Sequence, residues 1–462
     1  MLIRGNLVHC PELGQLDILR DFVLAVDESG RVSYVAPANR PESQQMLADA
    51  AEPPLVIEQG SFLIPTFCDL HLHAPQFLYQ GTGLHLPLME WLDEYAFKAE
   101  EGLDNDPVLA DKVYKRLATR LIENGTGAVL LFGTIKTETN LILARVMQEA
   151  GIRGFVGKLS MDISSRPSYM EESAEASLSE ARSFSERCCD LVAHLPDHER
   201  LVHPVLTPRF VPTCSDELLE GLGQLSAQAD LRIQSHMSEA HDELEWVQRE
   251  RGSHDIDIFA KHGLLTPRTV QAHCTFLDPP LLTQVAEYET AIAHCPLSNA
   301  YFSAKPFRLR EALQLGVKVG LGTDIAGGYD VDVLSCMRHA VAISRMREGE
   351  RIVATAGTSA EQETNLSIDW KEALYLATRG GAIALGLPSG TGSFSVGSPF
   401  DAQCIRLFDA RTGEGVGALD FFDDLSERQV LSVDSIEKWW CLGDTRNRQQ
   451  VWVQGKMIKF GC

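Results

Sequence analysis

The feature that most constrains this 462-residue chain is a recurrence of short β-prone runs between stretches with helical periodicity. The runs are residues 61–69, 128–132, 154–157, 202–206, 231–233, 270–272, 290–293 and 317–321. Strands alternating with helices predict a parallel sheet covered by helices, and eight such units are the number that closes a (β/α)8 TIM barrel. An open doubly wound sheet gives the same alternation, so periodicity alone leaves both architectures standing.

Outside that series both chain ends read as β structure. Leu2–Val8 and Phe22–Val26, the latter ahead of Asp27-Glu28-Ser29-Gly30, are apolar runs set between turn residues, and Asp401–Ile405 and Val451–Ile458 repeat the pattern. The two ends are expected to meet in one small β-sandwich module. This divides the chain into residues 1–61, a barrel over 62–393, and residues 394–462. The polar, turn-rich stretch from Arg347 to Leu366 is expected to be a loop ahead of a helix starting near Ser367.

Hydrophobic residues make up 44% of the chain and charged ones 23%, a balance that supports a buried core. A formal charge of −23 repels phosphate backbones and anionic lipid, which argues against nucleic-acid polymers and membrane surfaces as partners but not against an isolated base. No apolar run approaches bilayer length and Met1–Leu7 leads into no signal-like segment, so a cytoplasmic location is expected. The 11 cysteines form an odd, scattered set without a C-x-x-C pair, which fits reduced thiols better than a disulfide framework.

The chemistry sits at the C-terminal ends of the predicted strands, where barrel active sites are built. His71 and His73 are two apart, and the strand period of two aims both imidazoles at one face. Taken singly, an H-x-H also occurs as a structural or surface pair. His236 follows the run at 231–233, and Asp324 follows the run at 317–321, so four metal-ligating side chains share one kind of position. Three imidazoles and a carboxylate suit a divalent transition ion, zinc or iron, with a position left for water. Glu239, three residues beyond His236, is placed to shuttle protons without binding the ion. The alternative is a solvated glutamate in the acidic stretch that runs on through Glu243 and Glu245. His273 ends another run and either orients the attacking water or packs structurally, and His294 is similarly placed with its role open.

The H-x-H after Ile64-Pro65, the His-x-x-Glu, the later strand-end His and Gly322-Thr323-Asp324 together resemble the amidohydrolase superfamily. Binuclear members carry a strand-end lysine on the fourth strand. The run at 202–206 has none and Lys158 falls one strand too early, so one ion per subunit is expected and Lys158 is read as structural. Further segments resemble guanine deaminases: His73-Ala74-Pro75-Gln76, Leu86–Leu92, Thr207-Pro208-Arg209-Phe210, Gly322–Gly328, Ala377–Ala382 and Leu442–Asn447. That resemblance covers nearly the whole chain, and its departures, Pro75 and Lys136, touch no expected ligand.

What the resemblance implies is a Zn2+ or Fe2+ ion on His71, His73, His236 and Asp324, and a purine base held by Gln76, Arg209 and the Phe210 backbone, with His236 also against the substrate. Trp91 either walls the pocket or is simple packing. Glu239, His273 and Asp324 carry catalysis, guanine is the small-molecule substrate, and a homodimer is expected on resemblance alone. Chemistry independently favours such a pocket, because guanine offers an acceptor at O6 and a donor at N1, which an amide and a guanidinium complement, whereas adenine reverses the pattern. Two rival readings are hydrolysis of another aminated heterocycle or a chlorinated triazine, and a catalytically inactive scaffold protein. The retained ligands and Glu239 argue against the second.

Overall fold

In the computed structural model the described residues are 1–356, 365–426, 428 and 430–458. The first strands are β1 (Leu2–His9), β2 (Asp17–Val26), β3 (Val32–Pro37), β4 (Leu55–Val56) and β5 (Ser61–Pro65). Eight more follow: β6 (Phe67–His73), β7 (Thr126–Phe132), β8 (Arg153–Ser160), β9 (Val202–Pro208), β10 (Arg232–Met237), β11 (Thr269–His273), β12 (Ala291–His294) and β13 (Lys318–Leu321). The chain closes with β14 (Ala402–Arg406), β15 (Arg448–Val453) and β16 (Lys456–Ile458).

Strands β6 to β13 pair in chain order, all parallel, as the alternating pattern predicts. Just beyond the end of β13 the backbone bonds back to β6, with Asp324 N–H donating to His71 O and His73 N–H to Ile325 O, both at 2.8 Å. These bonds make the sheet a nearly closed TIM barrel rather than an open doubly wound one. β6, β7 and β8 are buried along their whole length because helices cover one face and the barrel interior the other. On β7, Val129 and Leu131 pack with Leu117 and Leu121 of the helix Pro107–Glu123. The alternate residues Ala128 and Leu130 join Leu70, Phe155, Val205, Ala293 and Leu385 in a separate apolar plug. With that plug below, the polar chemistry is confined to the barrel mouth.

Local sequence starts and stops the covering helices. Asp106 accepts from the N–H groups of Val108 and Leu109 ahead of Pro107, and Gly151, at φ 77°, ends Thr137–Ala150 in the left-handed conformation that glycine adopts without strain.

The chain ends share one separate sheet, in the order β16-β15-β14-β5-β1-β2-β3 with β4 beside β1. The join is antiparallel pairing of β14 with β5, from Ala402 opposite Pro65 to Arg406 opposite Ser61. The run at 61–69, expected to be one strand, is therefore two. Pro65 lacks an N–H, and at Thr66 the backbone leaves one sheet for the other: Thr66 N–H donates to Asp401 O, and Phe67 N–H to Gly125 O in the barrel. A buried bidentate pair, Arg153 to Asp401 at 3.0 and 3.1 Å, fastens the barrel to this sheet.

The loop expected from Arg347 to Leu366 is helical at its start, because the helix Val333–Thr355 runs through it. Its arginines are paired rather than free in solvent: Arg347 takes a bidentate grip on Glu311 and Arg351 on Glu348. Residues 357–364 lie outside the described residues. The next helix begins at Trp370, where Asp369 caps the N–H groups of Lys371 and Glu372. Among the described residues no helix is long and apolar enough to cross a membrane.

Candidate metal centre and base pocket

β6 delivers the first two imidazoles. A register shift between Asp69 and Leu72 bulges the strand, and Asp69, fully buried, accepts from the N–H groups of His71 (3.2 Å) and Thr323 (3.0 Å) and from Thr323 Oγ1 (2.5 Å). Sequence reading missed Asp69, which pins β6 to the segment that carries Asp324. β10 supplies His236, whose Nδ1 lies 2.6 Å from Arg209 O, so the ring donates there and presents Nε2 to the site.

One ring nitrogen from each of His71, His73 and His236 lies within 4.8 Å of the other two. His73 Nε2 is 3.0 Å from His236 Nε2, and Asp324 Oδ1 is 3.1 Å from His71 Nε2 and 3.7 Å from His73 Nε2. His71 and Asp324 are thus buried face to face beside the other two imidazoles. Burial, then the neighbouring imidazoles, push His73 and His236 well below the usual histidine range. Burial opposes the Asp324 charge, yet His71 and its neighbours hold that carboxyl below its ordinary value. Three clustered imidazoles, two of them held neutral by burial, and an ionised carboxylate are the donor set a divalent transition ion requires, so these residues fit such an ion.

The proton-handling groups sit on the same mouth. Glu239 is 5% exposed, and its Oε2 is 3.5 Å from His273 Nε2, which is 3.9 Å from Asp324 Oδ2. Burial, then the Asp324 charge, raises the Glu239 carboxyl well above its usual value, while burial lowers His273 to about 4. Glu243 holds the Glu239 backbone by accepting its N–H at 2.6 Å, which removes Glu239 from the solvated reading of the acidic stretch. His273 Nδ1 pairs with Asn299 Oδ1 at 2.9 Å, a contact that leaves Nε2 as the acceptor facing Glu239. Ser238, His273 and Asp324 have φ of 53°, 68° and 52°, so three strand ends store backbone strain where the functional side chains turn inward. Gly327 is required here, since a Cβ would lie 2.7 Å from Asp324 Oδ2.

These groups border a small cavity whose lining brings His73, His236, Glu239 and Asp324 together with Gln76, Arg209, Phe210 and Trp91. Trp91 is 3% exposed and packs on Phe302 at 5.1 Å, so it both walls the cavity and fills space. Phe132 underlies all three imidazoles at 4.5 to 4.9 Å. Glu100, Asn299, Phe132 and Phe302 were not foreseen from the sequence. The structure leaves His294 outside this cavity: it packs on Phe307 at 5.2 Å, and burial lowers it to about 3. Lys158 pairs with Glu171 at 2.5 Å and does not line the cavity.

The geometry agrees with what this chain is similar to. The model of the amidohydrolase family matches residues 62–458. Guanine deaminase of Mus musculus is 36% identical over 99% of this chain and 96% of its own length, and that of Dictyostelium discoideum 34% over 99% and 98%. A solved guanine deaminase from C. acetobutylicum, with guanine in its active site, superposes with a TM-score of 0.83 at 29% identity, covering 99% of both chains. On the strength of this likeness the chain belongs to the guanine deaminase family of the amidohydrolases.

Proposed function

We propose that this protein hydrolyses guanine to xanthine and ammonia, in purine catabolism and salvage. The observation that carries the reading is one small cavity lined by His73, His236 and Asp324 of the imidazole–carboxylate cluster, by Glu239, and by Gln76 and Arg209, with His71 directly behind. His71, His73, His236 and Asp324 would hold the ion, with Zn2+ favoured and Fe2+ also compatible with imidazole and carboxylate donors. When bound, a divalent ion there supplies the Lewis acidity that brings the pKa of a water towards neutrality.

The remaining work falls to the chain's own residues. Gln76, Arg209 and the Phe210 backbone hold the O6–N1 edge, Trp91 stacks the base into place, and His236 closes the reacting side. Asp324 and His273 orient the attacking water towards C2. Glu239 takes a proton from that water and gives it to N3; as the tetrahedral carbon collapses, the new C2 hydroxyl gives up its remaining proton, which Glu239 passes to the amino group, and the C2–N bond breaks to leave a carbonyl and release ammonia. A carboxyl raised by burial suits both accepting and returning that proton. We also propose a cytoplasmic homodimer in which each subunit joins the barrel to the sheet of the two chain ends, with the first boundary at Thr66 rather than between residues 61 and 62, because β5 pairs with β14.

Purified protein incubated with guanine tests the reading: equimolar xanthine and ammonia are expected, with about one equivalent of ion on the same sample. Loaded protein that leaves guanine untouched and instead releases ammonia or chloride from a triazine would replace this substrate.

A further inference from the structure

The cavity-lining residues that face the base are themselves held by a residue that does not line the cavity. Glu100, on the helix Phe97–Asn105, is fully buried. It stands on the face that carries Phe97 and Leu103, three residues to either side, so the helix turns a charge into the core beside the pocket. Its carboxylate oxygens accept from both base-facing side chains: Oε2 from Arg209 Nη1 at 2.6 Å and Oε1 from Gln76 Nε2 at 3.2 Å, with the Tyr169 hydroxyl a further partner. On the far side of the same amide, Gln76 Oε1 accepts from Ala326 N–H at 3.1 Å.

These contacts over-determine Gln76. A flipped amide would set its oxygen against the Glu100 carboxylate and its NH2 against the Ala326 N–H, losing both bonds and creating two repulsions. Arg209 is fixed in the same way. Burial works against its charge, the Glu100 carboxylate more than offsets that, and the Phe97 ring lies 4.9 Å from its guanidinium carbon. With Nη1 committed to Glu100, Arg209 Nη2 remains buried without a partner in the cavity wall. The pocket therefore offers donors whose direction the base cannot renegotiate.

We propose that Glu100 is a positioning residue that sets base specificity, by locking the polarity of the Gln76 amide and the aim of Arg209 so that the pocket accepts a 6-oxo purine edge and rejects a 6-amino one. This rests on the guanine-hydrolysing reading. A 6-oxo edge places an acceptor at O6 and a donor at N1, and a 6-amino edge reverses both. An amide free to rotate serves either edge, whereas one clamped between a carboxylate and a backbone N–H serves one.

The test compares guanine with 2,6-diaminopurine, which carries the same 2-amino leaving group on the reversed edge, for wild type, Glu100→Gln and Glu100→Asp. Glutamine at position 100 matches the shape but donates as readily as it accepts, so Gln76 loses its fixed polarity. For Glu100→Gln, kcat/KM on guanine is expected to fall roughly 10- to 100-fold while the diaminopurine value holds or rises, with unchanged ion content and a lower melting temperature, since Arg209 loses its buried counter-charge. Glu100→Asp, which keeps the charge, should restore part of the preference. An equal loss on both bases, or a preference unchanged in Glu100→Gln, overturns the proposal. Calorimetric binding of both bases to wild type separates the two levels. Absence of guanine turnover and binding in wild type defeats the functional reading and this inference with it. Wild-type turnover with an unmoved base preference defeats the role of Glu100 alone.

Discussion

Replacing Glu239 with glutamine removes a proton acceptor while leaving its volume in place, and the surroundings set the size of the effect. Glu239 is 5% exposed, so bulk water has little access to substitute for it. The nearest other carboxylates are already committed. Asp324 faces His71 at 3.1 Å, and Glu243 accepts the backbone N–H groups of Glu239 (2.6 Å) and Ala240 (3.2 Å). General acid–base catalysis contributes about 10²- to 10⁴-fold. Because this one carboxyl serves both the proton leaving water and the proton reaching N3, the loss in kcat should lie at the upper end, about 10³- to 10⁴-fold. Ion content should not change, since Glu239 is outside the ligand set.

Stability supplies a second, independent reading of the same variant. The Glu239 carboxyl is held above its unfolded value by burial and by Asp324. Its contribution to stability is therefore present at low pH and lost as pH rises through the folded value. An uncharged glutamine does not suffer that loss. Metal-depleted Glu239→Gln should thus melt no lower than metal-depleted wild type at pH 7. Xanthine formation followed by absorbance, with ion content and a thermal melt on the same preparations, checks all three expectations. A variant within tenfold of wild-type kcat would remove Glu239 from proton transfer.

Chelation should abolish turnover, and Zn2+ or Fe2+ should restore it, with a rise in melting temperature on reloading that follows mass action. Asp69→Ala strands the N–H groups of His71 and Thr323 and the Thr323 hydroxyl, and should cost about 2–4 kcal/mol in a urea titration and weaken ion binding roughly 10- to 100-fold. Asp401→Ala leaves Arg153 charged and buried between barrel and sheet; the expected cost is about 3–5 kcal/mol, read from the unfolding midpoint, with kcat on guanine unchanged because the pair lies far from the barrel mouth.

The parts of the site that were legible in the sequence are those fixed by strand period and strand end. His71 and His73 share a face because they are two apart, and His236, His273 and Asp324 each follow a β-prone run closely enough to reach the barrel mouth. Glu100 was not legible, because Ala99-Glu100-Glu101-Gly102 reads as a solvated acidic face and its partner Arg209 is 109 residues away. A signal did exist: Glu100 is three residues from both Phe97 and Leu103, which places a charge on an apolar face. Asn299 had no comparable mark, since its contact with His273 depends on how the segment after β12 turns over the mouth. The split of residues 61–69 was hidden because both halves are apolar and extended, and only pairing with β14 reveals that Pro65 ends one sheet. The helix through Arg347 was masked by polar residues whose partners, Glu311 among them, are remote in sequence.

The most direct measurement is anomalous diffraction from crystals of the protein as purified, collected across the zinc and iron absorption edges. A single ion is expected about 2.0–2.2 Å from one nitrogen of each of His71, His73 and His236 and from an oxygen of Asp324. An ion on other side chains, or crystals of active enzyme with no anomalous peak at these four residues, would contradict the account.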